Sequence, residues 1–224
     1  MKIQEMNEEQ RPREKALRHG IEALSDLDLI ALLISSGTKN HDVYQIAQDI
    51  IRKSDGFSRL FDMHIHEFME IQGIREVKAL QIVASIELCK RALQASTYQM
   101  VIQSPDDVVQ WFEMELGTKQ QEHFVAVYLD TKGKIITHRI LFVGSLNESI
   151  VHPRDIFKEA FLQNANSVLF VHNHPSNDVS PSREDFLCTH QLLEVAKVMG
   201  IQVLDHIIVG RNHWYSFKQH EELC

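Results

Sequence analysis

Along the first ~95 residues, apolar positions recur at intervals of three and four, the period of an amphipathic helix. The stretch "SDLDLIALLISSG" predicts a helix that Ser25 caps and Gly37 stops. In "HDVYQIAQDIIRK", Val43, Ile46, Ala47, Ile50 and Ile51 form one stripe, so a second helix buries that face. "IHEFMEIQGIREVKALQIVASIELCKRALQ" predicts a short helix, a turn at Gly73 and a longer helix with Leu80, Val83, Ala84 and Leu88 on a common face. The helical period breaks at "ASTYQMVIQSPDD", Ala95–Asp107, where Ser, Thr and Pro enter. The chain therefore divides into a small all-α domain over residues 1–96 and a second domain over residues 102–224.

In the second domain, strand and helix patterns alternate. "SPDDVVQWFEMEL" predicts a helix with Ser104 as N-cap and Pro105 in the first helical position. "HFVAVYLDTKGKIITHRILFVG" predicts a hairpin around "DTKG". "HPRDIFKEAFLQNA" is amphipathic, with His152 before Pro153 as a cap. "SVLFVHNH" is a continuous apolar run of strand length, the mark of a strand buried on both faces. "SPSREDFLCTHQLLEVAKVMG" predicts a helix with Ser180 as cap, Pro181 in its first turn and Gly200 at its end; "IQVLDHIIVG" and "HWYSF" predict two more strands. The order implies an α/β fold with a mixed sheet and flanking helices.

Composition narrows the class. The chain carries 23 basic and 31 acidic residues, a net charge of −8. Up to Met100 there are 13 basic and 15 acidic residues, and after it 10 and 16. Phosphate-backbone binders usually carry a basic patch, so nucleic-acid contact is disfavoured, least so in the first domain. No apolar run approaches the ~20 residues of a membrane helix, and the N-terminus has no secretory pattern. Cys89, Cys188 and Cys224 are far apart and odd in number, which fits a reducing, cytoplasmic setting rather than a disulfide framework or a thiolate metal site. Nine of the 13 histidines follow residue 100.

The chemistry concentrates in "LFVHNHPSNDVSPSRED", Leu169–Asp185. Alternate residues of a strand point the same way, so His172 and His174 project together with Asn173 opposite, and Pro175 ends the strand. Asp185 falls in the first or second turn of the next helix, where it can point back to the strand end. Two imidazoles and a carboxylate form a known zinc shell that leaves a fourth position for water. The same residues also fit a polar strand edge followed by a helix whose first-turn acid complements the dipole, with Ser180 and Ser182 as caps. Residue types alone leave both readings open.

His172, His174, Ser182 and Asp185 fit H-x-H-x7-S-x2-D, which resembles the metal motif of the JAMM (MPN-type) metalloproteases. The longer text "HPRDIFKEAFLQNANSVLFVHNHPSNDVSPSREDF…GIQVLDHIIVG" and the opening "RPREKALRHGIEALSDLDLIALLISSGT" resemble the RadC family, from about Arg11 to the C-terminus. That resemblance implies a JAMM/MPN domain with cytidine-deaminase-like layering, a Zn2+ cofactor held by His172, His174 and Asp185, and Ser182 as a donor to the bound water or developing oxyanion. It also implies an upstream glutamate as proton acceptor. Glu122 matches that place, with Glu148 as its competitor. Asp178 and Glu184 are acidic neighbours of the motif. His206 reads as a core histidine or one that supports a ligand, and His190 lies along the helix after the motif. Asn177 stands where the RadC pattern has glycine, a position a left-handed asparagine can fill.

"IQGIREVKALQIVASIEL" resembles a helix-hairpin-helix, whose turn suits a DNA phosphate. Gly73, Ile74, Lys78 and Ala79 match, whereas Arg75 replaces the second glycine and Glu76 offsets its charge. A helical packing or protein-interaction module fits the same residues. Three functions follow as expectations. One is a zinc-dependent hydrolase cutting an amide bond in a protein or peptide. Another is a DNA-repair-associated protein with weak DNA contact through Gly73 to Ala79. The last is a non-catalytic zinc-containing scaffold.

Overall fold

The computed structural model describes residues 7–57, 59–144 and 152–223. The chain divides into two compact units, Met1–Cys89 and Lys90–Cys224. The first contains helices α1 (Pro12–His19), α2 (Asp26–Ile34), α3 (Val43–Lys53), α4 (Ile65–Met69) and the start of α5 (Glu76–Gln99), which carries the chain into the second. No helix among the described residues is long and apolar enough to cross a membrane.

The helices of the first unit start where their caps stand. Ser25 and Asp42 each accept from backbone N–H groups in capping boxes at α2 and α3. The stripe of α3 is buried at Val43, Ile46, Ala47 and Ile50, packed with Ile30, Ile34 and Phe68. α2 ends at Ile34 with Ser35 at φ 62°, ahead of the stop predicted at Gly37. Gly37 serves a close approach instead: a Cβ there would lie 2.5 Å from the His41 carbonyl oxygen. On α5 the buried apolar positions are Ala79 and Ile82, while Leu80 and Leu88 are 55% and 66% exposed. The helix is apolar on more than one side, so period alone selects the wrong face. It also continues through Ala95–Gln99, past the break its polar residues predict.

The helix-hairpin-helix-like turn has duties inside this unit. Gly73 has φ 96°, and a Cβ on it would lie 2.6 Å from Ile46 Cδ1. Ile74 and Ala79 are buried, and the Lys78 ammonium donates to the Ser36 carbonyl just beyond α2.

In the second unit, α6 (Asp106–Leu116), α7 (Pro153–Leu162) and α8 (Arg183–Met199) flank strands β1 (Glu122–Leu129), β2 (Ile135–Gly144), β3 (Ser167–Asn173), β4 (Gln202–Val209) and β5 (Trp214–Ser216). The sheet order is β2-β1-β3-β4-β5. Among these strands only the β3–β4 pairing is parallel. Every residue of β3, the central strand, is buried, as its unbroken apolar run requires. Its two faces carry separate cores. Leu169 and Val171 join Val125, Val127 and α6 residues such as Trp111 and Phe112. Val168 and Phe170 join Phe124, Ala126, Tyr128 and the α7 and α8 residues Phe157 and Leu192. This is a mixed α/β sheet with flanking helices, the fold class the patterning predicts.

Two caps shift by a residue or two. α6 begins at Asp106, because Asp107 accepts from Gln103 N and Ser104 N and turns the chain there. α8 is capped by Ser182 rather than Ser180: Ser182 and Asp185 form a reciprocal capping box, whereas Ser180 N donates to Asp178 in the preceding loop. His152 occupies the N-cap of α7 without a side-chain cap bond.

One buried acid ties the first unit together. Asp28 accepts from Tyr44 Oη at 2.8 Å, Ser25 N at 3.1 Å and Lys15 Nζ at 3.1 Å, joining α1, α2 and α3. Burial alone raises its carboxyl, but the bonds from Tyr44, Ser25 and Lys15 outweigh that and bring it down to about 2. A carboxylate lowered in the folded state stabilises above its unfolded value, and that stability disappears as pH falls through the folded one. Asp28→Asn therefore costs about 1–2 kcal/mol in urea unfolding at pH 7. The gap between the variant and the parent closes as pH drops from ~5 toward ~2.

Candidate metal centre

His172 lies on β3 and His174 just past its end, where Pro175 prevents further pairing. α8 starts across from that end and brings Asp185 in its first turn, as the dipole favours. β1 runs antiparallel to β3, and the Phe124–His172 register places its first residue, Glu122, at the same sheet end. One ligand atom from each of Glu122, His172, His174 and Asp185 lies within 4.8 Å of the others, a group able to hold a metal ion. Three of these groups, His172, His174 and Asp185, lie at near-contact distances. His172 Nε2 is 3.0 Å from Asp185 Oδ1, His174 Nε2 is 3.3 Å from Asp185 Oδ2, and the two Nε2 atoms are 3.0 Å apart. His172 and Asp185 have no exposed surface.

Counting donors fixes which nitrogens carry protons. Thr189 Oγ1 lies 2.6 Å from the Asp185 carbonyl oxygen and 2.6 Å from His206 Nδ1. A carbonyl only accepts, so the hydroxyl gives it its one proton and accepts from His206 Nδ1–H. Burial, reinforced by His172, holds the His206 imidazole well below its ordinary range and hence neutral. Its bare Nε2 then accepts from His172 Nδ1–H at 2.8 Å. His174 Nδ1–H donates to the Asp178 carbonyl at 2.6 Å. When neutral, both metal-site imidazoles thus aim Nε2 lone pairs at the carboxylate.

The arrangement demands positive charge at its centre. Asp185 Oδ1 accepts no hydrogen bond although it is buried and 3.0 Å from His172 Nε2. Protons on the imidazoles are one answer. Burial lowers His174, but its bonds to Asp185 and to the Asp178 carbonyl outweigh this and raise it. Burial likewise raises Asp185, and protons on His172 and His174, which would bond its two oxygens, outweigh that and hold it well below the usual carboxylate range. A divalent cation is the other answer. Ligand atoms ~2.0–2.1 Å from a tetrahedral ion sit ~3.3 Å apart, close to the 3.0–3.3 Å separations of these three groups. The donor set fits a metal.

The neighbouring predicted residues take definite places. Ser182 Oγ accepts from Asp185 N at 3.1 Å and donates to Asp185 Oδ2 at 2.6 Å, so its single proton goes to Asp185. Asp178 contributes its carbonyl to His174, while its carboxylate accepts from Ser180 N. Glu184 is exposed on α8. Glu148 lies outside the described residues. The Cys188 thiol, partly buried on α8, is pushed up to about 12 by burial and then by the charges of Asp185 and Glu122, so it stays protonated. Asn177 adopts φ 64°, and its Oδ1 accepts from Arg211 N at 2.6 Å. The asparagine therefore supplies the left-handed turn and also pins the loop.

Sequence patterning passes over Thr189 and gives Asn173 a direction but no task. Thr189 stands four residues after Asp185, one helical turn along the same face, and that spacing is the signal that marks it. Asn173 lies between the two histidines on the other face of β3.

The chain matches the family model described as RadC-like JAB domain over residues 102–223 and the one described as UPF0758 N-terminal over residues 3–80. It is 44% identical over 218 residues to a UPF0758 protein of Geobacillus kaustophilus, covering 97% of this chain and 96% of that protein. UPF0758 proteins of Bacillus velezensis and Halalkalibacterium halodurans are 43% and 41% identical over 220 residues, covering 98% of this chain and 95% of each relative.

Thr189→Val keeps the shape but leaves the buried His206 Nδ1–H without its acceptor. It costs about 1–3 kcal/mol in urea unfolding. It also weakens divalent-cation binding about 10-fold or more in a chelator competition, because His172 loses its enforced tautomer. Unchanged affinity in the folded variant contradicts the donor chain described above.

Proposed function

The chain belongs to the RadC family, and from that premise and the geometry of the site we propose that it is a zinc-dependent metallohydrolase that cleaves an amide bond, peptide or isopeptide, in a protein substrate. The observation that supports this reading most is the convergence of three acceptor groups on one buried point, with Glu122 beside them. His172, His174 and Asp185 would hold the ion. Zinc is the choice because two imidazoles and a carboxylate, with the nearby Cys188 thiol held protonated, match a catalytic zinc shell. When bound, zinc supplies Lewis acidity that polarises a carbonyl and makes water a competent nucleophile near neutral pH.

Glu122 supplies the proton handling. A carboxylate beside the attacking water takes one proton and later delivers it to the leaving amine. Its place at the start of β1, partly exposed, suits that task, since it must meet substrate as well as the ion. Asp185 and the two imidazoles are immobilised by Ser182, by the Thr189–His206 chain and by the Asp178 carbonyl. That rigidity keeps the acceptors aimed with no reorganisation cost during reaction. Ser182 assists an oxyanion by redirecting the proton that it gives to Asp185 in this structure.

Protein purified without added metal should carry about one zinc per chain, measured by plasma mass spectrometry. His172→Ala with His174→Ala should bring that to background; zinc content that survives both changes rules out the site. Glu122→Gln should keep its zinc yet retain cellular protein substrates that the parent releases cleaved. A Glu122→Gln chain that replaces the parent fully in cells would instead establish a scaffold role for the zinc.

A further inference from the structure

Asn173 stands between the two histidines, and its side chain points to the opposite face of β3. It has no exposed surface. Its Oδ1 accepts from His123 N at 2.9 Å, and its Nδ2 donates to the Lys119 carbonyl at 3.3 Å and the Gln121 carbonyl at 3.2 Å. The amide orientation is forced: a backbone N–H needs the oxygen and two carbonyls need the nitrogen. All three partners belong to the segment that leaves α6 and enters β1, and Glu122 lies between Gln121 and His123. The side chain thus grips the chain on both sides of Glu122.

We infer that Asn173 is a positioning residue for Glu122, setting the carboxylate at its place beside the metal group through three backbone bonds; this rests on the metallohydrolase reading given above. The alternation of a strand makes the arrangement economical. Residues 172 and 174 face α8 and the metal group, and residue 173 faces the α6 side, where the Glu122 segment arrives. One strand end therefore sets both the ligands and the proton acceptor, although the acceptor lies about fifty residues upstream. Other residue types fit poorly. An aspartate at this position would hold His123 but set a second oxygen against two carbonyls, and a hydroxyl or an apolar side chain cannot supply one acceptor and two donors. Buried backbone groups left without partners drive a local rearrangement. The segment that would shift is the one carrying Glu122.

The test uses the full chain loaded with cobalt(II), whose visible bands report the surroundings of the metal. Asn173→Ala should retain cobalt with affinity close to that of the parent, because none of its bonds goes to a ligand. Amide exchange at His123 should rise about tenfold or more. Its cobalt bands should shift in the direction that Glu122→Gln produces, and the double variant should shift no further than Glu122→Gln alone, since the two changes act through one group. Asn173→Asp, which keeps the acceptor and loses the donors, should give the same band shift with less exchange at His123, and serves if Asn173→Ala does not fold. Cobalt bands identical to the parent in a folded Asn173 variant overturn the inference, as do band shifts that add to those of Glu122→Gln. A parent chain that takes up neither cobalt nor zinc removes the metal reading itself, and this inference with it.

Discussion

The Asp185 carboxylate, shut away from solvent 3.0 Å from one imidazole nitrogen and 3.3 Å from another, is the constraint to which much of the second unit answers. A buried ionised carboxylate costs several kcal/mol unless positive charge and hydrogen bonds compensate it. The compensation comes from separate elements. The first turn of α8 places the acid at the positive end of a helix dipole. Ser182 bonds Oδ2, and the end of β3 brings one nitrogen acceptor to each oxygen. Those acceptors alone add lone pairs rather than charge. The centre is complete only with protons or a cation, so the cluster is a structural node that could also hold a metal ion.

Rigidity around that centre is built from groups with one proton to give. Thr189 gives its proton to the Asp185 carbonyl, so it must accept from His206, and His206 must accept from His172. Each link removes a choice from the next. The outcome is an imidazole held in one tautomer by a chain that begins on the backbone of the acid it faces. Histidine ligands generally need such a partner on the second nitrogen. Here the partner is another histidine, kept neutral by burial.

The strong periodic elements were legible in the sequence, and so was the convergence of His172, His174 and Asp185. The buried stripe of α3, the β1–β2 hairpin and the continuous run of β3 all appear as patterned. The motif spacing brings His172, His174 and Asp185 together because a strand end followed by a helix N-terminus leaves little conformational freedom between them. Where patterning failed, the cause was local ambiguity. α5 is apolar on several sides, so Ala79 and Ile82 are buried while Leu80 and Leu88 are exposed. Ser180, Pro181 and Ser182 all stand ahead of α8, and only the reciprocal bond with Asp185 selects Ser182 as the cap. The helix-hairpin-helix-like text is legible as a turn, and in the folded unit Gly73 makes room for Ile46 and Lys78 closes the end of α2.

By itself the sequence determined the elements, the division into an all-α region and a mixed α/β region, and the three groups whose spacing is short enough to be set by one strand and one helix. The tertiary structure decided what depends on pairing between distant segments. It placed Glu122 beside His172, His174 and Asp185 through the antiparallel β1–β3 register. It turned His206 into the support for His172 through the parallel β3–β4 pairing. It also gave Asn173 a task on the face of β3 away from the histidines. The physical reason is common to all three. Local spacing fixes directions within an element, whereas the partner of a buried polar group is fixed only when the sheet closes and every donor and acceptor must be matched.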